Sequence, residues 1–240
     1  MNNIKCASIV NITDICKNKE MIDAVFKKCI KGYHSINASP INEKTWEDIN
    51  SLLFEKIGVE VYSKSDGSHL SGMDIDSSLG KISNKSSKYL NKIRDFDISS
   101  YRLTTVCSEK NCGTPQDFIS EIHKRKNFDY YSFILRDETS HANCVEYEWL
   151  LIPSNYEALD PSSYVWEPII GKRGKNKDVQ TGWTTNKING CKMSIIFSMS
   201  SQLWIHIEMT EYIHNFIVAN TVVSNKPIYN YFDIVDKLNI

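Results

Sequence analysis

Residues 68–86, with the sequence SHLSGMDIDSSLGKISNKS, decide the fold that we predict for this chain. Residues 73–76 alternate apolar and polar side chains, and residues 81–86 carry Ile82 among polar side chains. Both segments are predicted as short strands, joined by a turn at residues 77–80 (SSLG). The two strands then form a β-hairpin. If the turn is centred between residues 78 and 79, Asp74 stands opposite Ser83, and Lys85 lies on the same side of its strand.

One face of this hairpin is predicted to carry nearly all of its charge. Side chains that oppose each other across two strands share a face and lie roughly 5 Å apart. The polar face presents Asp74, Asp76, Lys81, Ser83 and Lys85. The opposite, buried face is predicted to present Met73, Ile75 and Ile82.

A carboxylate beside a lysine on adjacent strands suits metal-assisted hydrolysis of a phosphodiester. Mg²⁺ takes oxygen ligands and is often held by one or two carboxylates together with phosphate and water. A lysine beside such an ion can orient the attacking water and stabilise developing negative charge. The alternative is an ordinary surface hairpin in which Asp and Lys form a cross-strand salt bridge.

The segments GMDI (72–75) and ISNKS (82–86) resemble the active-site hairpin of type II restriction endonucleases of the PD-(D/E)xK superfamily. In that pattern Asp74 matches the first acid and Lys85 matches the lysine. Ser83 stands where the second acid is usual, so this sequence departs from the pattern at that position. The resemblance implies that Asp74, Ser83 and Lys85 are catalytic and that Asp74 binds metal. It leaves Asp76, Glu55 or Glu60 as the further metal ligand.

The resemblance also implies a biochemical setting. We expect sequence-specific cleavage of double-stranded DNA with Mg²⁺, for which Mn²⁺ can substitute. We also expect a homodimer, a companion DNA methyltransferase and a bacterial or viral origin. The alternative is a non-catalytic, sequence-specific DNA-binding protein, and a third reading is an interaction domain that binds no nucleic acid.

Basic stretches follow the predicted hairpin and recur later in the chain. Lysines and arginines set position on the phosphate backbone, whereas amides and hydroxyls can read base edges. The alternative for each stretch is a solvated surface. The residues predicted to contact DNA are Lys81, Lys88, Lys92, Arg94, Arg102, Lys172, Arg173, Lys175, Lys177, Gln180, Thr184, Thr185 and Asn186.

The order of predicted elements indicates a mixed α/β (α+β) fold. Helices are predicted at residues 13–36, 42–57 and 115–125, and strands at 101–106, 130–136, 144–152, 192–198 and 202–208, with 212–222 fitting either. The resemblance implies a restriction-endonuclease-like core with a mixed central β-sheet flanked by helices. We expect one domain, residues 1–240. It comprises a helical part (1–60), a catalytic core (61–152) and a DNA-recognition and closing part (153–240).

Composition supports a globular protein without a membrane span. The 240 residues include 28 Lys and Arg against 29 Asp and Glu, and 41% are hydrophobic. No apolar run approaches about 18 residues, and residues 1–10 lack the basic and apolar segments of a secretory signal. Seven cysteines, an odd number, favour reduced thiols and a cytoplasmic location. Cys107, Cys112, His141 and Cys144 are a possible zinc site with unusual spacing, and His69 lies beside the predicted active site.

Overall fold

The computed structural model describes residues 9, 11–65, 72–90, 94–140, 142–198 and 200–238. Its helices are α1 (Ile12–Lys17), α2 (Lys19–His34), α3 (Glu43–Ile57), α4 (Pro115–Arg125), α5 (Glu211–His214) and α6 (Tyr231–Leu238). Its strands are β1 (Val61–Lys64), β2 (Ile75–Ser77), β3 (Gly80–Lys88), β4 (Asp95–Arg102), β5 (Tyr130–Asp137), β6 (Cys144–Pro153), β7 (Trp166–Ile170), β8 (Gln180–Ile188), β9 (Cys191–Ile196), β10 (Gln202–Glu208) and β11 (Ile217–Ser224).

Asparagine side chains cap the first turns of α1 and α3 and explain where these two helices begin. Asn42 Oδ1 accepts from the Thr45 N–H at 3.0 Å at the start of α3, and Gly58 ends that helix with a left-handed φ of 88°. The first predicted helix, residues 13–36, is instead two helices with a break at Asn18.

A six-stranded mixed sheet is the centre of the fold. Its strand order is β1-β2-β3-β5-β6-β11. Strands β3 and β5 are parallel, and the other neighbours are antiparallel. The parallel pair is joined by a crossover that contains β4 and α4. The predicted mixed sheet in an α+β fold is therefore confirmed.

The second face of this sheet is covered in a way that the sequence did not predict. Helices α2 and α3 pack on one face, with Phe26, Trp46 and Trp149 at the centre of that core. The other face packs against a five-stranded antiparallel sheet, of order β4-β10-β9-β8-β7, together with α4. The central sheet is thus flanked by helices mainly on one side. No described helix is long and apolar enough to span a bilayer.

The hairpin sits where the two sheets and α3 meet. Strand β2 pairs with β3 only over Gly80–Ile82, so among the described strands the rest of β3 has a neighbour on its β5 side alone. Ser87 Oγ donates to the Asp97 carbonyl at 2.7 Å and ties β3 to β4. The N-terminal end of α3 lies over this open part of β3, because Glu43 reaches Lys85 there.

Candidate active site

The β2–β3 hairpin has the register that the sequence predicts. Ile75 pairs with Ile82, and the Asp74 N–H donates to the Ile82 carbonyl at 2.8 Å, which places Asp74 opposite Ser83. Ile75 and Ile82 are buried against the helices, as expected. Met73 instead packs against the core between the sheets, because β2 begins only at Ile75 and Met73 precedes it.

Asp74 is partly buried and held by the strand opposite. Its Oδ2 accepts from the Asn84 N–H at 2.5 Å. Burial raises the pKa of the Asp74 carboxyl, although Lys85 and the hydrogen bonds from Asn84 and Ser83 act in the opposite direction. Ser83 itself is buried, with 2% of its surface exposed. The Ser83 hydroxyl therefore supports Asp74 and is poorly placed to contact a substrate directly.

Lys85 points to the N-terminal end of α3. Its side chain is 15% exposed, and Nζ donates to Glu43 Oε1 at 2.8 Å. Burial alone would lower the pKa of Lys85, but the charges of Glu43 and Asp74 outweigh it and hold that pKa above its usual value. Lys85 is therefore a fixed ammonium group at neutral pH.

Two glutamates of α3 complete this site, and the sequence reasoning missed both. Glu43 and Glu47 are four residues apart and share one face of the helix. Burial, followed by the charges of Asp74 and Glu43, raises the pKa of Glu47 to about 7. We call Asp74, Lys85, Glu43 and Glu47 the Asp74–Lys85 cluster. The signal available in the sequence was the pair of acids on the α3 face that also carries buried Trp46.

The other predicted ligands lie elsewhere. Glu55 is more than two turns beyond Glu47 on α3, about 12 Å along the axis, and its side chain is exposed. Asp76 shares a face with Asp74 but pairs with Lys81, about 7 Å farther from the open part of β3. Glu60 is exposed beyond the end of α3. The structure therefore adds Glu47, whose pKa is raised in part by the charge of Asp74, to the candidate ligands.

The cluster fits a cation that keeps much of its own water. Within the described ranges, no group of three or more His, Cys, Asp and Glu side chains is arranged to hold a metal ion. An all-protein metal cage is therefore a poor fit. Burial, and then the charges of Asp74 and Glu43, make the ionised form of Glu47 unfavourable and raise its pKa, and a bound cation would offset both effects. Asp74 and Glu47 fit Mg²⁺ or Mn²⁺ bound by two carboxylates, water and phosphate.

Most of the predicted phosphate-contacting residues are exposed. Lys81, Lys88, Arg102, Lys172, Arg173 and Lys177 all have exposed side chains. Lys92 and the side chain of Lys175 lie outside the described residues. The 171–179 loop joins β7 to β8, and within the described part of the chain none of its lysines and arginines forms an ion pair.

Arg94 is not a free cation. Its Nη2 lies 3.2 Å from Glu146 Oε1 and 3.1 Å from Glu148 Oε1, and its guanidinium lies 4.5 Å from the centre of the Tyr89 ring. Tyr89 also donates to the other oxygen of Glu148. The Arg94 guanidinium is therefore engaged by carboxylates within the chain, which makes it less available to phosphate than the exposed lysines.

The predicted base readers differ in their availability. Thr185 is buried, and its Oγ1 accepts from the Met193 N–H at 2.9 Å, so it cannot read bases. Gln180 Nε2 donates to the Gly182 carbonyl at 3.1 Å, and Asn186 Oδ1 accepts from the Val165 N–H at 3.0 Å. Thr184 lies on the outer side of β8, opposite Ser194 and Glu167, and remains accessible.

The possible zinc ligands are not assembled among the described residues. Cys107 is buried in the core between the sheets, whereas Cys144 begins β6 and pairs with Ser224 of the edge strand β11. Burial, and then the nearby Cys112, raises the pKa of the Cys107 thiol to about 11, so it is protonated at neutral pH. His141 and His69 lie outside the described residues.

Comparison with known proteins finds no relative of this chain. No protein-family model, no curated protein and no solved structure matches the chain. The Asp74–Lys85 cluster and the exposed basic residues are therefore the features from which a function can be proposed.

Proposed function

We propose that this chain is a metal-dependent endonuclease that hydrolyses phosphodiester bonds of double-stranded DNA. The observation that carries the proposal is the Asp74–Lys85 cluster, in which a partly buried ammonium and three carboxylates converge beside the open part of β3. Charged side chains gathered at a strand edge contribute little to the stability of the fold. They are suited to a reaction in which charge develops on a phosphate.

Each member of the cluster has a distinct role in this proposal. A divalent cation, when bound, supplies Lewis-acid activation of the phosphate and lowers the pKa of its water. Asp74 and Glu47 would hold that cation. Lys85 carries its proton at neutral pH and therefore cannot accept one from water, so it orients the nucleophile and stabilises the charge that develops on the phosphate. Glu43 holds the Lys85 ammonium in place through the 2.8 Å contact.

The surroundings of the cluster support DNA as the substrate. Tyr131 pairs with Ser83 and hydrogen-bonds Ser100 of β4, so the end of β4 that carries Arg102 lies next to the hairpin. Arg102 and the basic 171–179 loop lie at the same end of the antiparallel sheet. The distance from β4 to β7 is four strand spacings, or about 19 Å, which corresponds to between five and six base pairs at about 3.4 Å per pair.

The narrower identity is a type II restriction enzyme. The hairpin extended by parallel β5 and antiparallel β6 supports a restriction-endonuclease-like core, with residues 130–152 as scaffold strands beyond the hairpin. From the resemblance we further propose sequence-specific cleavage, a homodimer, a companion methyltransferase and a cytoplasmic site of action. Ser83 in place of the usual second acid is compensated, in this proposal, by Glu47 from α3.

A non-catalytic DNA-binding protein is the second candidate. It is favoured by one observation: the described residues contain no preassembled group of three metal ligands, whereas the basic residues of the 171–179 loop are exposed. Such a protein would bind DNA through counterion release and show the same dependence on salt. Only cleavage separates the two candidates.

The test uses Lys85→Ala and a matched control, Lys28→Ala, in α2. Lys28 is exposed, lies outside the cluster and is not among the predicted DNA contacts. We expect Lys85→Ala to lose at least about 100-fold in cleavage rate with Mg²⁺, because charge stabilisation at a reacting phosphate contributes about that much. DNA binding in Ca²⁺ should change little. A wild-type cleavage rate in Lys85→Ala would remove the assignment.

A further inference from the structure

Asn50 and Asn84 form a buried polar contact between α3 and β3. Asn50 Nδ2 donates to Asn84 Oδ1 at 2.6 Å and to Ser132 Oγ at 2.9 Å. Both asparagines and Ser132 are fully buried. The indoles of Trp46 and Trp149 donate to Ser132 from the same core, at 3.2 and 2.9 Å. The contact is therefore part of a buried hydrogen-bond network between α3 and the central sheet.

Stability alone does not account for this contact. Asn50 Oδ1 and Asn84 Nδ2 have no hydrogen-bond partner within the part of the chain that the structure describes. Buried polar atoms without partners are costly, and a well-packed apolar pair of similar volume is often at least as stable. A polar pair also differs from an apolar pair in specificity. Its hydrogen bond forms only when the helix occupies one position along the strand.

The two asparagines are placed where that position matters. Asn50 follows Glu43 and Glu47 at intervals of three or four residues, so all three lie along one stripe of α3. Asn84 immediately precedes Lys85, and its own N–H donates to Asp74 Oδ2 at 2.5 Å. One partner therefore belongs to the helix of the glutamates, and the other belongs to the strand of the lysine.

We propose that Asn50 and Asn84 are positioning residues that fix α3 against β3 and thereby set the two α3 glutamates relative to Asp74 and Lys85. Apart from the asparagine contact, the Glu43–Lys85 ion pair and the Trp46 indole, which donates to the Ser132 carbonyl, α3 contacts the sheet through apolar side chains such as Leu53 and Phe54, which tolerate small shifts. A shift of one helical turn is about 5.4 Å and would break the 2.8 Å contact between Glu43 and Lys85. The catalytic consequence of the proposal rests on the proposed function, whereas the structural part does not.

The first experiment measures the contact that the asparagines are proposed to set, without metal or DNA. A double-mutant cycle with Glu43→Gln and Lys85→Met gives the coupling between these two residues from urea unfolding. The cycle is repeated in the Asn50→Leu/Asn84→Ala background, which replaces the polar pair by an apolar pair of similar total volume. We expect the coupling to fall to less than half of its original value. An unchanged coupling would overturn the proposal, whatever reaction the protein catalyses.

The second experiment measures Mn²⁺ binding to the free protein by titration calorimetry. We expect the apolar pair to weaken Mn²⁺ binding by about 10-fold, with a Tm equal to or above that of the wild type. The control is Tyr164→Phe, which removes a buried 2.8 Å hydrogen bond to the Ala158 carbonyl far from α3. It should lower the Tm and leave Mn²⁺ binding unchanged.

The two experiments distinguish a failure of the proposed positioning role from a failure of the proposed function. A folded apolar pair with wild-type Mn²⁺ affinity overturns the positioning role. A wild-type protein that neither binds Mn²⁺ nor cleaves DNA contradicts the proposed function, and the urea cycle then decides the positioning role alone. If the apolar pair does not fold, Asn84→Ser is measured in the same way, because its shorter side chain cannot maintain the contact with Asn50.

Discussion

Glu47→Gln should make the protein more stable at alkaline pH. The pKa of Glu47 is raised from 4.5 to about 7, first by burial and then by Asp74 and Glu43. The folded state therefore holds a proton that the unfolded state releases above pH 4.5. Stability from this group is full below pH 4.5 and is lost as the pH rises towards 7. Glutamine remains neutral and avoids that loss.

The magnitude follows from the shift. A difference of about 2.5 pH units corresponds to about 3.4 kcal/mol at most, and solvent screening of a partly exposed group reduces it to about 1–2 kcal/mol. At pH 8 and without metal, Glu47→Gln should therefore raise the Tm by about 3–6 °C. At pH 4.5 the two proteins should be nearly equal.

The assay is urea or thermal unfolding at pH 4.5 and pH 8 in EDTA. Glu55→Gln, at the exposed end of the same helix, is the matched control and should change stability by less than about 0.5 kcal/mol at both pH values. Mg²⁺ at pH 8 should stabilise the wild type more than Glu47→Gln. The reasoning is refuted if Glu47→Gln shows no gain at pH 8, or if Glu55→Gln shows the same gain.

Three further outcomes follow from groups outside the cluster. Burial lowers the pKa of the His34 imidazole, so the unfolded state gains a proton first on acidification, and the wild type should lose more stability than His34→Gln as the pH falls below 6.5 in urea unfolding. Arg94→Ala leaves the carboxylates of Glu146 and Glu148 without their cation and should lower the free energy of unfolding by about 2–4 kcal/mol. The DNA affinity of the folded fraction should be unchanged, and a large loss of affinity would instead support Arg94 as a DNA contact. Replacing Lys172, Arg173 and Lys177 by Ala should reduce the slope of log K against log salt by about 3, and an unchanged slope would exclude the 171–179 loop from the interface.

The hairpin could be predicted from the sequence because its determinants are local. A short alternation and a small-residue turn fix the register of β2 against β3, and that register fixes which side chains share a face with Asp74. The capped start of α3 is equally local, since Asn42 and Thr45 are close in the sequence.

The acidic part of the cluster could not be predicted in the same way. Glu43 and Glu47 reach Lys85 and Asp74 only because α3 packs across the open part of β3, and that packing depends on long-range contacts such as Asn50 with Asn84. The second sheet is also a long-range feature. The sequence predicts its strands β9 and β10 but not β7 or β8, and the pairing of β10 with β4 joins residues about 100 positions apart.

The same limit applies to the predicted DNA contacts. Arg94 and Thr185 have side chains suited to phosphate and base contacts, and composition cannot show that Glu148 and Met193 occupy them. Exposure and charge agree at Lys88 and Arg102 and in the 171–179 loop, where the side chains lie away from the core.

The most direct measurement is cleavage of a large, sequence-diverse plasmid or phage DNA by the wild-type protein, with Mg²⁺ and with EDTA. The proposed function predicts discrete bands with Mg²⁺ and none with EDTA, and mapping the ends gives the recognised site. Intact DNA under both conditions across several substrates, with binding retained, would contradict the nuclease assignment and leave the DNA-binding protein.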